Sequence, residues 1–587
     1  MPTILSRRAL LAGAPALLAA EQRPNILWLS SEDTSPNLGC YGDPHAITPT
    51  LDKLASEGVR YTNAYTVAGV CAPSRSGIIT GMFPSSLGSM HMRSRAALPP
   101  HVKCFPEFLR DAGYYCTINA KTDYNFDVPP KAWDESGRDA HWRKRKAGQP
   151  FFAVFNFEVS HESRLTWRGK QFEEAIKQLK PSERRDPARL VLPPYHPDTP
   201  AVRRDWANYY EAVTAMDYQV ATRLRELEEA GLLEDTIVFY WGDHGVGLPR
   251  AKRWLYDSGT RVPMIARIPE KFRAAGQGKP GSTDGQLVSM IDLAPTMLHL
   301  AGAAPAPQFQ GRAFLGAKLT PPRRYIHGAR DRMDERYDII RAVRDNRYRY
   351  IRNYEPGKPY YQHMETPESG DTMKELRRLH AESKLPPAAA QFMSLSKPVE
   401  ELYDLQADPH EIRNLAADPA QGATLNRLRA EHQRWMRDTR DVGLIPEPEL
   451  VEGERRYGSR WAMMRAPENT TLAKRVLAAA TSPNRAAAQD PHPAVRYWAA
   501  RHLPDGAGLL KDPSPAVRIA AAANLRDASA LAQLLEHEVE SVRLMAAIAL
   551  DEMGPRSRAA ETQLRAIAAQ PGREYPSRVA RRILDSW

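Results

Sequence analysis

Four cysteines occur in 587 residues, and one of them, Cys71, sits in CAPSRSGIITG just ahead of a proline, a serine and an arginine. A buried structural thiol needs no such neighbours, so Cys71 reads first as a reactive site. Two other stretches carry residues of metal-ligand type. RPNILWLSSEDTSPNLGCYG runs apolar from Ile26 to Leu29 and breaks into Glu32 and Asp33. EDTIVFYWGDHGVG runs apolar to Trp241 and ends in Asp243 and His244 on a glycine-flanked turn. Carboxylates placed outside the carboxyl ends of strands suit a hard cation. Taken alone, the acidic pair is more often a turn or a helix cap, and His244 could be a satisfied histidine in a loop. Two such strand ends in one chain strengthen the metal reading over either alone.

These residues need elements to hold them. Short apolar runs ended by Pro, Gly and acidic residues predict buried parallel strands. A third run, FFAVFNFEVSHES, ends in His161, and TINAKTDYNF places Lys121 after a strand-like segment. Within CAPSRSGIITG, Pro73 and Gly81 predict a short helix over Ser74–Thr80.

Length and composition bound the rest. A chain of 587 residues is too long for one ordinary core, and two or three domains are expected. With 42% hydrophobic and 26% charged residues it is globular rather than disordered. No apolar run reaches the roughly 18 to 20 residues a membrane span needs. The net charge of +11 suits anionic partners such as acidic polysaccharide, nucleic acid or lipid, or simply a basic surface. SRRALLAGAPALLAA places Arg7 and Arg8 before an apolar segment ending near Ala20, the layout of a cleavable export signal that resembles the twin-arginine type. An amphipathic start is the alternative. Export would place the protein in the periplasm or outside the cell. The four cysteines are too few for a disulfide framework, which leaves a Cys104–Cys116 pair open.

CAPSRSGIITG resembles the sulfatase motif, Cys-x-Pro-Ser-Arg followed by Thr-Gly, whose cysteine is oxidised to formylglycine. The acidic pair, the GDHG turn, RAKRWLYDSGTRVPMI, VSMIDLAPTML and ELYDLQADPHEIRNLA look like further landmarks of that family, over about Arg23 to Leu415. The resemblance implies an α/β, alkaline phosphatase-like fold: a mixed, mostly parallel sheet with helices on both faces and a smaller antiparallel C-terminal subdomain. It implies that Glu32, Asp33, Asp243, His244 and the modified Cys71 hold one divalent cation, calcium first and magnesium as the alternative. The motif helix would then aim its positive end at the metal, the modified residue and the sulfate. Arg75 would anchor the formylglycine hydroxyl or the metal ligands, and Lys121 and Lys252 would bind sulfate oxygens, with Arg253 the alternative to Lys252. His161 would protonate the leaving group. Hydrated formylglycine supplies the nucleophile, and a formylglycine-generating enzyme is implied as the maturation partner. Two departures stand out. Glu32 replaces the usual aspartate, and Asp123 stands where the family commonly has a histidine. Asp123 is expected either to take over proton abstraction or only to orient Lys121.

The implied activity is hydrolysis of a sulfate ester on a sulfated saccharide. A sulfamidase acting on N-sulfoglucosamine, a phosphodiesterase or phosphonate hydrolase of the same superfamily, and a non-catalytic scaffold are the other readings; Cys71 argues against the phosphorus enzymes. No nucleic-acid partner is expected. Candidate substrate contacts are HWRKRK at 141–146, His91, Arg93, Trp133 and Trp167. Toward the carboxyl end, VRYWAA, VRIAAA and VRLMAA begin at Val495, Val517 and Val542, spacings of 22 and 25 residues. They resemble HEAT-like repeats, or else belong to one helical bundle, and are expected to supply contact surface for a protein or glycan. The expected organisation is 1–20 signal, 21–323 catalytic core, 324–455 C-terminal sulfatase subdomain, 456–485 helical connector and 486–587 helical repeats.

Overall fold

The computed structural model describes residues 23–587 apart from Pro483, Asp505 and residues 571–573. The export signal expected over 1–20 lies outside the described residues. Nine strands form one sheet: β1 (Asn25–Ser31), β2 (Val59–Tyr65), β3 (Tyr115–Asn119), β4 (Glu135–Ser136), β5 (Phe151–Phe157), β6 (Thr236–Gly242), β7 (Arg261–Arg267), β8 (Ser282–Asp284) and β9 (Val288–Ser289). Their order is β4-β3-β5-β1-β6-β7-β2-β8, with β9 also paired to β2. Neighbours from β4 to β6 run parallel, and β7 is antiparallel to both β6 and β2.

Every residue of β1, β5 and β6 is buried, as strands covered on both faces require. Ile26 and Trp28 enter one core with Phe152, Val154 and Phe239. Leu27 and Leu29 enter the opposite core with Ala153, Phe155 and Val238, under the long helix Pro200–Glu229. Strand register then decides function: Ser31 pairs with Phe157 on one side and Gly242 on the other. The segments that follow these three strands therefore leave the sheet at one level, and Glu32, His161 and Asp243 emerge together.

The motif helix spans Cys71–Thr80 with all ten residues buried, three residues longer at its start than the sequence predicts. Val70 is extended, and its carbonyl accepts from Ser74 N at 3.1 Å, so the first turn closes at Cys71 itself. Gly81 ends the helix at φ 65, a left-handed conformation that suits glycine. Cys104 and Cys116 are both buried free thiols, so the pairing left open by the sequence does not form.

A second, antiparallel sheet follows: β10 (Ile326–Arg330), β11 (Ile340–Arg344), β12 (Tyr348–Asn353) and β13 (Glu400–Asp404), in that order. From Leu472 onward every element among the described residues is a helix. VRYWAA, VRIAAA and VRLMAA lie on helices Pro493–His502, Pro515–Leu525 and Glu540–Glu552. Their arginines make one bond pattern three times. Arg496 donates to the carbonyls of Asp490 and Pro491, Arg518 to those of Asp512 and Pro513, and Arg543 to those of His537 and Glu538. The array is tied to the preceding chain by Arg501–Glu355 at 2.9 Å, Arg336–Asp551 at 2.7 Å and Trp498 Nε1 donating to the Leu444 carbonyl at 2.8 Å. No helix among the described residues is long and apolar enough to cross a membrane.

Candidate active site

The aligned strand ends deliver buried charges of both signs. Arg75, on the motif helix, donates to Glu32 Oε1 at 2.7 Å, Asp243 Oδ2 at 3.2 Å and Asn156 Oδ1 at 2.8 Å. Lys121 Nζ reaches Glu32 Oε2 at 2.7 Å. The extra methylene of Glu32 thus lets one carboxylate bridge two cations. Lys252 Nζ lies 2.8 and 2.9 Å from the Asp33 oxygens, 3.0 Å from Glu162 Oε1 and 3.3 Å from His161 Nε2. Cys71 Sγ stands 3.1 Å from His244 Nε2, while His244 Nδ1 donates to the Gly245 carbonyl at 2.9 Å. The GDHGVG turn needs its glycines: a Cβ on Gly247 would come within 2.5 Å of Asp33 Oδ2, and one on Gly245 would strike the Ser258 carbonyl. A cleft of about 620 Å³ opens over Cys71, Lys121, His161 and Lys252, within the size range of small-ligand sites.

These contacts move the ionisations together. Burial pushes the Cys71 thiol up, but Lys121, Lys252 and His244 outweigh it and bring it down to about 7. Burial pulls His244 down, and Asp243, Cys71 and Asp33 raise it to about 9. Burial raises Glu32, Asp33 and Asp243, yet all three stay below the usual carboxylate range, held by Lys121 and Arg75, by Lys252, and by His244 and Arg75 respectively. His161 is depressed by burial and by Lys252 but raised overall by Asp33 and Cys71. Its Nδ1 lies 3.3 Å from Ser163 N and its Nε2 3.3 Å from Lys252 Nζ.

The donor set suits a divalent cation. Glu32, Asp33, Cys71 and His161 present ligand atoms within 4.8 Å of one another, and Cys71, Asp243 and His244 form a second such group. Both groups share Cys71, and the three carboxylates among them, Glu32, Asp33 and Asp243, supply the oxygen ligands a hard ion prefers.

The sulfatase family model matches residues 24–131 and 131–303. That of the N-sulphoglucosamine sulphohydrolase C-terminal region matches 242–385. An ulvan-active sulfatase of Formosa agariphila is 45% identical over 471 residues, covering 74% of this chain and 78% of its own. The chain belongs to the sulfatase family. Among solved structures, a protein in complex with its substrate D-glucosamine-2-N,6-O-disulfate matches at TM-score 0.52 and 19% identity, over 71% of this chain and 98% of that one. A phosphonate monoester hydrolase from Silicibacter pomeroyi matches at 0.52 and 19%, over 72% and 97%. At such identity these two speak for the alkaline phosphatase-like fold alone.

The structure brings the expected residues Glu32, Asp33, Cys71, Arg75, Lys121, His161, Asp243, His244 and Lys252 together. Arg253, the alternative to Lys252, lines the same cleft and pairs with Glu162 at 2.8 Å and Asp334 at 3.0 Å, whereas Lys252 pairs with Asp33 and Glu162. Asp123 lies off the cleft wall, with Oδ2 3.6 Å from Lys121 Nζ and Oδ1 3.4 Å from Arg93 Nη1. Most of the expected substrate contacts point elsewhere. His91 is buried and accepts from Arg332 N, and Trp133 stacks on Phe152 inside the core. Trp167 packs under Arg164 against the other core. None of residues 141–146 borders the cleft, and Trp142 is fully buried against Phe151. Only Arg93 reaches the rim. Trp133 and Trp142 obey the larger gain from burying an indole beside aromatic neighbours.

Two residues that sequence reasoning passed over complete the arrangement. Glu162 joins Lys252 to Arg253. Asn156 holds Arg75 and donates to the carbonyls of Asn119 and Lys121. A signal existed for both: Asn156 is the one polar residue in the apolar run FFAVFNF, and Glu162 directly follows His161.

Proposed function

We propose that this sulfatase releases sulfate from an ester on a sulfated glycan, with ulvan-type polysaccharide as the first substrate to test, and that Cys71 works as formylglycine. The observation that carries the reading is the position of Cys71: it opens a buried helix, touches His244 at 3.1 Å, and lines the same cleft as Lys121, Lys252 and His161. A plain thiol explains none of this company. Hydrated formylglycine supplies the nucleophile, and a divalent cation held by Glu32, Asp33, Asp243, His244 and residue 71 would neutralise sulfate oxygens. Calcium is the ion we favour, on the oxygen-rich ligands.

The chain's own residues do the rest. Lys121 and Lys252 offer ammonium groups to the sulfate oxygens, where charge develops as the sulfur–oxygen bond to the sugar breaks. His161 holds a proton at Nε2, and the departing sugar oxygen takes it. Arg75 orients Glu32 and Asp243. Asp123, set against Lys121 and Arg93, positions Lys121 and is not the proton acceptor. We read the export signal as functional, and the C-terminal helices as HEAT-like repeats, supported by their threefold arginine pattern.

The match to the N-sulphoglucosamine sulphohydrolase C-terminal region favours an N-sulfate as the second reading. Peptide mass spectrometry of protein from its native host should find residue 71 as formylglycine. Ion chromatography should detect sulfate released from ulvan oligosaccharides, with N-sulfoglucosamine as the competing substrate. Unmodified Cys71 throughout, with no sulfate from either, defeats the proposal. Loss of activity in chelator and recovery with calcium rather than magnesium would identify the ion.

A further inference from the structure

The family models end at residue 385, yet the cleft over Cys71 is lined on one side by Glu540, Glu574, Tyr575 and Arg578 of the helical array. Tyr575 opens the last helix, Tyr575–Asp585. Its hydroxyl lies 3.5 Å from Asp334 Oδ1, and Asp334 leads through Arg253 and Glu162 to Lys252. The array's last helix is therefore anchored on the same chain of charges as the lysine beside Cys71.

Arg93 and Arg95 contribute a different wall of the same cleft. Asn125 pins their loop: its side chain donates to the carbonyls of Ser89 and His91 and accepts from Arg93 N at 2.7 Å, while its carbonyl accepts from Ala96 N at 2.8 Å. Both arginines sit at positive φ, 59 and 47, a conformation that non-glycine residues adopt at a cost and that clusters at functional sites. The Arg93 side chain is 62% exposed. Arg95 is exposed and, among the described residues, makes no ion pair. Burial lowers the Arg93 guanidinium, but Asp123, Tyr575 and Asp334 raise it.

We propose that Tyr575, together with Arg93 and Arg95, forms a subsite for the sugar next to the sulfated one, selecting a neighbour that bears a second anionic group, a carboxylate or another sulfate. This rests on the sulfatase reading above. A guanidinium pair matches either planar carboxylate or sulfate oxygens by charge-assisted hydrogen bonds. The tyrosine ring offers an apolar face to a pyranose ring and a polar edge to its hydroxyls. On the array side Arg578 is already paired with Glu335 and Glu365, and Glu540 and Glu574 disfavour an anion there, which directs the charge to Arg93 and Arg95 and the ring to Tyr575.

Binding to full-length Cys71→Ala protein, measured by calorimetry, reads the subsite without turnover. Three matched sulfated disaccharides serve as probes, with a neutral neighbour, a carboxylate neighbour and a sulfated neighbour. The added substitutions Arg95→Ala and Tyr575→Ala should each weaken binding of an anionic probe by about tenfold, the worth of one charge-assisted bond or ring contact. Arg95→Ala should leave the neutral probe within twofold, and Tyr575→Phe should keep most of the affinity, which separates ring contact from misfolding. Preference for carboxylate or for sulfate identifies the anion. Equal weakening of neutral and anionic probes by Arg95→Ala, no effect of either substitution, or no binding of any probe overturns the subsite. Failure of the wild-type enzyme to release sulfate, with this binding pattern intact, would instead count against the sulfatase reading.

Discussion

The two ends of the cleft hold charge in opposite ways. At the Cys71 end, Arg75 and Lys252 are 4% and 3% exposed in their side chains and each meets two carboxylates within 3.2 Å. At the end walled by the 93–95 loop, Arg93 is 62% exposed with one carboxylate at 3.4 Å, and Arg95 has none among the described residues. Desolvated, mutually paired charges cannot reorganise cheaply, so they present a preset field to a reacting group. Solvated, loosely paired ones discriminate among ligands at little cost to the fold. On the reading proposed above, chemistry belongs at the first end and choice of substrate at the second.

The most severe way to break that contrast is Lys252→Ala, which strips the ammonium from Asp33 and leaves Glu162 with Arg253 alone. We expect turnover to fall by ~10³ and unfolding free energy by about 3 kcal/mol, because two buried carboxylates lose a cation; single-turnover kinetics and denaturant titration measure the two separately. A stable, active variant would show that the buried network is not what sets the site.

Acid should act on the Cys71 end through His196. Its Nε2 donates to the Pro249 carbonyl at 2.8 Å, in the loop that bears Lys252, and its Nδ1 accepts from Trp206 Nε1 at 3.0 Å. Burial lowers it from 6.5 to about 4 despite the Pro249 bond. A depressed folded value means the contribution is complete above pH 6.5 and drains away as pH falls toward 4, about 3 kcal/mol in all. In melting curves from pH 8 to pH 4, His196→Asn should start lower than wild type and lose less; parallel curves would remove His196 from the account.

Asp123→Asn sharpens the boundary between the two ends, since Asp123 contacts a cation from each. A positioning role predicts about a tenfold fall in kcat with recovery in Asp123→Glu, whereas loss of a proton acceptor costs ~10² to 10⁴. Mildest of all is Arg518→Ala, remote from the cleft. It removes bonds to the Asp512 and Pro513 carbonyls, and about 1 kcal/mol should disappear from stability with kcat/KM unchanged. Any change in kcat/KM would show that the array transmits strain to the site.

Legibility followed locality. The motif helix was readable because Pro73 and Gly81 bracket it, and only its first turn was misplaced, since Val70 closes that turn from outside the motif. Glu32, His161 and Asp243 were readable because each ends an apolar run. His91, Trp133 and Trp167 were misjudged because a loop residue's direction is set by the nearest core, and no local pattern reports that.

What the chain determined by itself is the chemistry at Cys71: strand periodicity, the glycines of the GDHGVG turn and the motif helix depend on steric rules that act within a few residues. What only the tertiary structure decided is who stands opposite. Tyr575 lies 504 positions beyond Cys71 in the chain, and Arg253 is assigned to Asp334 rather than Asp33 by packing of the second sheet. Long-range pairing of charges follows burial, and burial exists only once the sheets and the array have met.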